Sequence, residues 1–92
     1  MLEANDVVHR SDAAFDSPVH DELILVQTQT DAYFSLGESG KEIWEFLATP
    51  MTVDALCCRI ASAHDMVKGD VEYDVIAFLT DLKEANLIRI EG

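Results

Sequence analysis

The side chains in this sequence that could move a proton, hold a metal or attack a carbonyl are three histidines, two cysteines and eighteen carboxylates. His9, His20 and His64 fall in separate segments. They lack the i, i+4 spacing that sets two imidazoles on one helical face, and no glycine-rich phosphate loop or nucleophile elbow accompanies them. They read as surface or boundary residues. Cys57 and Cys58 are adjacent, a spacing that suits neither a zinc knuckle nor a redox pair. On a helix they point about 100° apart, which places Cys57 in the core and Cys58 nearer its edge. No metal or other cofactor is expected. Most of the carboxylates form a solvated face, with one concentration between residues 70 and 85. There Asp70, Glu72, Asp74, Asp81 and Glu84 stand against Lys83. Asp74 and Asp81, seven residues apart, share a face of any helix in this stretch. The alternatives are a solvated ridge, a small enzyme built on a carboxylate pair, which would turn substrate over in isolation, and a surface that attracts a cationic partner.

The charge balance favours the cationic partner. Six basic and eighteen acidic side chains leave a net charge of −12 on 92 residues. A field of that sign repels phosphates and draws in basic peptides, with on-rates that fall as salt rises. Nucleic acid is thereby an unfavoured partner. No apolar run approaches the roughly 18 residues of a membrane span, and the first residues lack the basic and apolar regions of a signal peptide. The expected setting is cytoplasmic, without a membrane partner.

The elements that must position these residues are organised around Asp31 to Leu47. From Ala32 to Leu36 the pattern is a strand, with Phe34 and Leu36 on one face and Tyr33 and Ser35 on the other. The spacing then turns helical, with Ile43, Phe46 and Leu47 on one side and Trp44 on its flank. Gly37 permits the reversal between them, and Ser39 with Glu42 forms a Ser-x-x-Glu capping box for a helix starting near Gly40. Upstream, residues 1 to 6 are expected to fray and Val7-Val8-His9 to form a weak strand. Ser11 to His20 reads as a loop, and Leu23 to Val26 as a strand that wets toward Gln27 and pairs with Ala32 to Leu36 as a hairpin. Downstream, Pro50 ends the first helix. Thr52 caps a second helix carrying Val53, Leu56, Cys57 and Ile60. Lys68-Gly69 is its exit, and Asp70 caps a third with the stripe Val71, Val75, Phe78, Leu79 and Leu82. Asn86 sits at a left-handed C-cap, and Leu87 to Ile90 closes the chain as an extended run. No internal repeat or linker divides the sequence, which reads as a single domain over residues 1–92.

Three patterns in order carry a family resemblance. They are Tyr-Phe-Ser-Leu-Gly-Glu-Ser-Gly-Lys-Glu-Ile-Trp-Glu-Phe-Leu, then Met-Thr-Val-Asp-Ala-Leu, then Asp-Val-Ile-Ala-Phe-Leu-Thr-Asp-Leu-Lys-Glu-Ala-Asn-Leu-Ile. Over roughly residues 22 to 90 the chain resembles the PqqD-like family, the leader-recognition domains of peptide-modifying pathways. The family more often has Asn where Gly37 stands and Gly where Asn86 stands, swaps between residues that tolerate left-handed backbone.

The resemblance implies an α+β fold of winged helix-turn-helix type, a three-stranded antiparallel sheet followed by three helices, without a catalytic centre. It also implies binding of the leader of a ribosomally made precursor, added as a strand along Ala32 to Leu36 in a cleft walled by Asp70 to Ala85. The peptide-binding residues so implied are Ala32, Tyr33, Phe34, Ser35 and Leu36, with Asp74, Ala77, Phe78 and Asp81 across from them. The leader is expected to be basic, and a separate leader peptidase or other maturation enzyme to act on the tethered precursor. The start of the first helix and the Ala-Thr-Pro-Met-Thr-Val-Asp-Ala-Leu segment look more like free-standing lasso-peptide recognition proteins. Peptide chaperones of pyrroloquinoline quinone biosynthesis are the alternative within the family. A helix-turn-helix DNA regulator is the alternative outside it, and one Lys among five carboxylates in its would-be recognition helix argues against it.

Overall fold

The computed structural model describes residues 2–91. In chain order its elements are β1 (Val7–Arg10), β2 (Ala14–Val19), β3 (Glu22–Gln27), β4 (Ala32–Leu36), α1 (Glu38–Phe46), β5 (Met51–Thr52), α2 (Val53–Ala63), α3 (Lys68–Glu84) and β6 (Ile88–Glu91). A three-stranded antiparallel sheet, β2-β3-β4, is present and three helices follow it, but its first strand is β2 and not the expected Val7-Val8-His9 run, which lies in β1 and pairs elsewhere. A second three-stranded sheet, ordered β5-β1-β6, ties the two ends of the chain together. Val8 of β1 lies opposite both Met51 and Ile90 and is fully buried.

β2 occupies the segment expected to be a loop. Asp16, Ser17 and Pro18 are poor strand formers locally, yet the whole segment from Ala14 to Val19 pairs with β3. Pro18 is tolerated because β2 is an edge strand. A two-residue turn joins the pair, with His20 held at a φ of 57°. The β3–β4 hairpin forms as expected, in the register Leu23↔Leu36, Leu25↔Phe34 and Gln27↔Ala32. These paired residues share the inner face. Gln27, expected to be wet, is buried there. Its Nε2 donates to the Asn86 carbonyl at 2.6 Å, and its Oε1 accepts from the Gln29 N–H at 2.8 Å. Because both ends of the amide are satisfied, its burial carries no desolvation penalty of an unpaired group.

Helix boundaries depart from the capping rules in instructive places. α1 starts at Glu38, two residues earlier than the Ser39 capping box predicts, and its N-cap is Gly37 without a side-chain bond. Glu42 instead contacts His64 at 2.6 Å, which removes the reciprocal half of the box. Gly37 has an extended backbone, φ −77° and ψ −173°, so the reversal there does not depend on glycine. Trp44, on the flank of the apolar side, is 1% exposed, whereas Phe46, expected on that side with Ile43 and Leu47, is only half-buried. The indole N–H donates to Asp16 at 3.0 Å, and the Arg10 guanidinium lies 4.5 Å from the ring centroid, so β1, β2 and α1 meet at this side chain.

α2 has the predicted Thr52 cap, whose hydroxyl accepts from the Ala55 N–H at 3.1 Å. The preceding amides of the same turn are met by residues expected to fray: Val53 N–H donates to the Asp6 carbonyl and Asp54 N–H to the Ala4 carbonyl. Leu2 is itself in the core. The fraying expected of residue 1 lies outside the described residues. α2 ends with Asp65 at positive φ and a bond from the Met66 N–H to the Ala61 carbonyl. α3 then begins at Lys68, two residues before the expected Asp70 cap, with the Lys68 ammonium paired to Asp54 across the α2–α3 corner. That hydrogen bond holds the lysine charged, raising its pKa. At the far end of α3 the C-cap is as expected. Asn86 takes a φ of 59°, its N–H donates to the Lys83 carbonyl, and the Leu87 N–H donates to the Leu82 carbonyl.

Val71, Val75, Leu79 and Leu82 of α3 pack with Leu25, Leu36, Ile43, Trp44, Leu56 and Ile60 in one core. Cys57 is buried within it and Cys58 is exposed, as the 100° argument requires. Burial pushes the Cys57 thiol pKa up. Among the described residues no helix is long and apolar enough to cross a membrane.

A candidate peptide-docking groove

β4 is an edge of its sheet, so the side away from β3 presents backbone donors and acceptors without a strand partner. Nothing in its sequence, Ala-Tyr-Phe-Ser-Leu, blunts that edge with a charge or a proline. Beside it opens a groove of about 470 Å³ lined by the end of β4, the start of α1 and one face of α3. Leu36 forms part of the floor, buried among the core residues. Phe34 and Phe78 are half-buried and pack against the core from the rim. Asp74 places a carboxylate at the same opening.

Gly40 forms part of the groove wall beside the Phe78 ring. A methyl group at that position would stand 3.1 Å from two carbons of the Phe78 ring and 3.3 Å from Leu36 Cδ2, tighter than ordinary contact. The helix backbone can therefore approach the Phe78 ring only because Gly40 has no side chain. Ile43, one turn further along α1, closes the inner wall. The chemistry on offer is that of a peptide site: an unsatisfied strand edge for main-chain hydrogen bonds, an apolar recess for one or two side chains, and an acidic residue at the mouth.

Residues 22–88 match the sequence family described as Coenzyme PQQ synthesis protein D (PqqD). The chain belongs to the PqqD family. Solved structures with the same fold include TbiB1 in complex with the TbiA(beta) leader peptide. That chain is 28% identical, with a TM-score of 0.79, over 88% of the present chain and 94% of its own. Another is lasso peptide synthetase B1 complexed with the leader peptide, with a TM-score of 0.76 over 89% of the present chain and 96% of its own. At 17% identity this second likeness concerns the fold alone. No curated protein matches the sequence significantly.

Of the residues singled out in the sequence of this PqqD-family chain, Phe34, Ser35, Leu36, Asp74 and Phe78 line one groove. Ala32 and Tyr33 lie on the same edge strand but outside the groove, Ala32 next to the hairpin turn and Tyr33 on the outward face. Ala77 faces a separate shallow depression with Gly69, Glu72, Tyr73 and Ile76. Asp81 is exposed further along α3 and does not line the groove. Phe78, read in the sequence as a member of the core stripe, is half-buried because its ring stands between core and groove. Sequence reasoning missed Gly37, Ser39, Gly40 and Ile43 as wall residues. The signal was present: Gly40 lies within a helix, where glycine costs about 1 kcal/mol against alanine, and such a glycine commonly marks a close approach.

No cluster of three or more His, Cys, Asp or Glu among the described residues could hold a metal ion. His9 reaches Glu91 at 2.8 Å and His64 reaches Glu42 at 2.6 Å, while His20 is exposed in a turn. The three histidines are thus boundary and surface residues in separate places.

Proposed function

We propose that this protein binds the leader segment of a ribosomally made precursor peptide in lasso-peptide biosynthesis and presents it to separate processing enzymes. It acts as a binding module with no catalytic centre of its own. The observation that carries the reading is the conjunction of an unblunted β4 edge with an apolar groove at its side, on a fold shared with two leader-peptide complexes. The leader adds as a strand to β4, its backbone satisfying that edge. Side chains on one face of the added strand enter the recess between Phe34, Gly40, Ile43 and Phe78.

The net charge of −12, with Asp74 at the mouth, suits a leader that carries basic residues. The same charge speaks against the DNA-binding alternative. α3 exposes Asp70, Asp74, Asp81 and Glu84, so a duplex laid along it would meet carboxylates rather than guanidinium groups. The family description itself points to quinone-cofactor biosynthesis. The 28% identical structure, alike over nearly its full length, supports leader-peptide binding, and the fold shared with lasso peptide synthetase B1 supports the lasso reading between the two.

Amide-proton shift mapping with the leader peptide tests the proposal. Perturbations are expected on Tyr33 to Leu36, on Gly40 and on Asp74 and Phe78. Perturbations confined to α2 and the β5-β1-β6 sheet would move the site elsewhere and refute the β4 reading.

A further inference from the structure

β6 is a free edge of the second sheet, and the charge along it is unlike that of the rest of the molecule. An opening of about 670 Å³ follows this edge past the end of α3, with His9, Lys83, Arg89 and Glu91 in its wall. Glu91 is answered inside the opening, because its Oε2 lies 2.8 Å from His9 Nε2. Lys83 and Arg89 are exposed, and neither takes part in an ion pair among the described residues. Most other basic side chains are already engaged by carboxylates. Arg10 lies 3.6 Å from Asp16, Lys68 is paired with Asp54, and Lys41 shares its opening with Asp21, Glu38, Glu42 and Glu45. Arg59 is exposed on α2. A chain with six basic and eighteen acidic residues therefore sets two unpaired cations in one opening, beside a strand edge.

Each cation has a local use. Lys83 complements the C-terminal dipole of α3, and Arg89 blunts the β6 edge against an apolar strand. Neither use requires the two to line a common opening, and together they give that edge a charge preference. The outer side of β6 offers backbone donors and acceptors without a strand partner, and Lys83 and Arg89 turn away a basic strand while attracting carboxylates. Charge also selects among acidic occupants. A duplex or a second copy brings many negative charges within reach of the −12 field, whereas a short segment within a Debye length of the opening meets mainly these cations. We infer that the β6 edge docks an extended acidic segment of a partner protein, its backbone paired with β6 and its carboxylates against Arg89 and Lys83. β4 and β6 belong to different sheets, so this surface is independent of the leader site. The two free edges take strands of opposite charge.

The test maps amide-proton shifts of the full chain at low salt with the capped peptide Val-Glu-Val-Glu-Val, with its Lys counterpart Val-Lys-Val-Lys-Val, and with inorganic phosphate. The acidic peptide is expected to perturb Lys83 and Ile88 to Glu91, with an affinity that falls as salt rises. The Lys peptide should leave those residues unmoved. Both cations are exposed, so Lys83→Glu and Arg89→Glu should fold as the wild type does, and together they should weaken the acidic peptide about tenfold or more. Lys83→Gln with Arg89→Gln should weaken it by less, as expected for charge rather than shape. Equal binding of the two peptides at β6 overturns the inference, and so does an acidic peptide that perturbs β4 and Asp74 instead or perturbs nothing. Phosphate that reproduces the same shifts and displaces the peptide also overturns it, assigning the opening to a free anion. So does a wild-type dimer in sedimentation that Arg89→Glu abolishes, which assigns the edge to a second copy.

Discussion

The two edges of the β2-β3-β4 sheet are built from the same backbone and face opposite fates. β2 carries Asp16 and Pro18 along its length, and Asp16 is tied down by the Trp44 indole at 3.0 Å with the Arg10 guanidinium 3.6 Å away. A proline and a committed carboxylate are the devices by which natural sheets close an edge to strangers. β4 has neither, and the groove against Phe78 and Gly40 lies alongside it. The other sheet differs: β5 is two residues long, and the opening of about 670 Å³ along the β6 edge is lined by His9, Lys83, Arg89 and Glu91, so that edge is blunted by charge. An open edge alone is a liability, and an open edge next to an apolar recess is a site. The difference between β2 and β4 therefore locates function more sharply than the charge pattern does.

Removing the anchor of the closed edge gives the largest expected effect. Trp44→Ala should cost about 3 to 5 kcal/mol in chemical denaturation, because a buried indole leaves a cavity and Asp16 and Arg10 lose their shared partner. A loss below about 1 kcal/mol would mean that the junction of β1, β2 and α1 is not what holds the closed edge in place.

Narrowing the recess beside the open edge comes next. Gly40→Ala gains helix propensity while pushing the Phe78 ring, so folding stability should move by about 1 kcal/mol or less in either direction. Leader affinity should nonetheless fall severalfold by calorimetry. Undiminished affinity would place the bound side chains elsewhere.

The smallest effect separates two carboxylates that the sequence treats alike. Asp74 lines the groove and Asp81 does not, so Asp74→Lys should weaken binding of a basic leader by about 1 kcal/mol at low salt, and Asp81→Lys by less. Both effects should shrink as salt rises. Equal effects would reduce both residues to contributors to a general field.

Much of this was legible in the sequence wherever local chemistry agreed with tertiary demand. The β3–β4 hairpin, the Thr52 cap, the Asn86 C-cap and the apolar stripe of α3 all follow from period and capping rules. β2 was not, because Asp16, Ser17 and Pro18 are held extended by β3 and by Trp44 rather than by their own propensities. The start of α1 was misplaced because Glu42, which fits a capping box, is engaged by His64, 22 residues away. Lys68 and Gly69 looked like a helix exit until the Asp54 pairing showed them to be the first turn of α3. The site divides the same way. The face of β4 and the positions Asp74 and Phe78 could be read from alternation and spacing. Which residues of α1 meet Phe78 depends on the angle between two helices, and no periodicity encodes that.

The claim that the leader adds as a strand to β4 is tested most directly from the peptide's side. Single N-methylation along the leader deletes one backbone donor at a time and leaves the side chains in place. Affinity measured across the series should fall at alternate positions, because successive amides of an added strand point toward β4 and away from it. Loss of affinity without that period of two, or tolerance of methylation throughout, would contradict strand addition and leave side-chain burial in the groove as the whole of recognition.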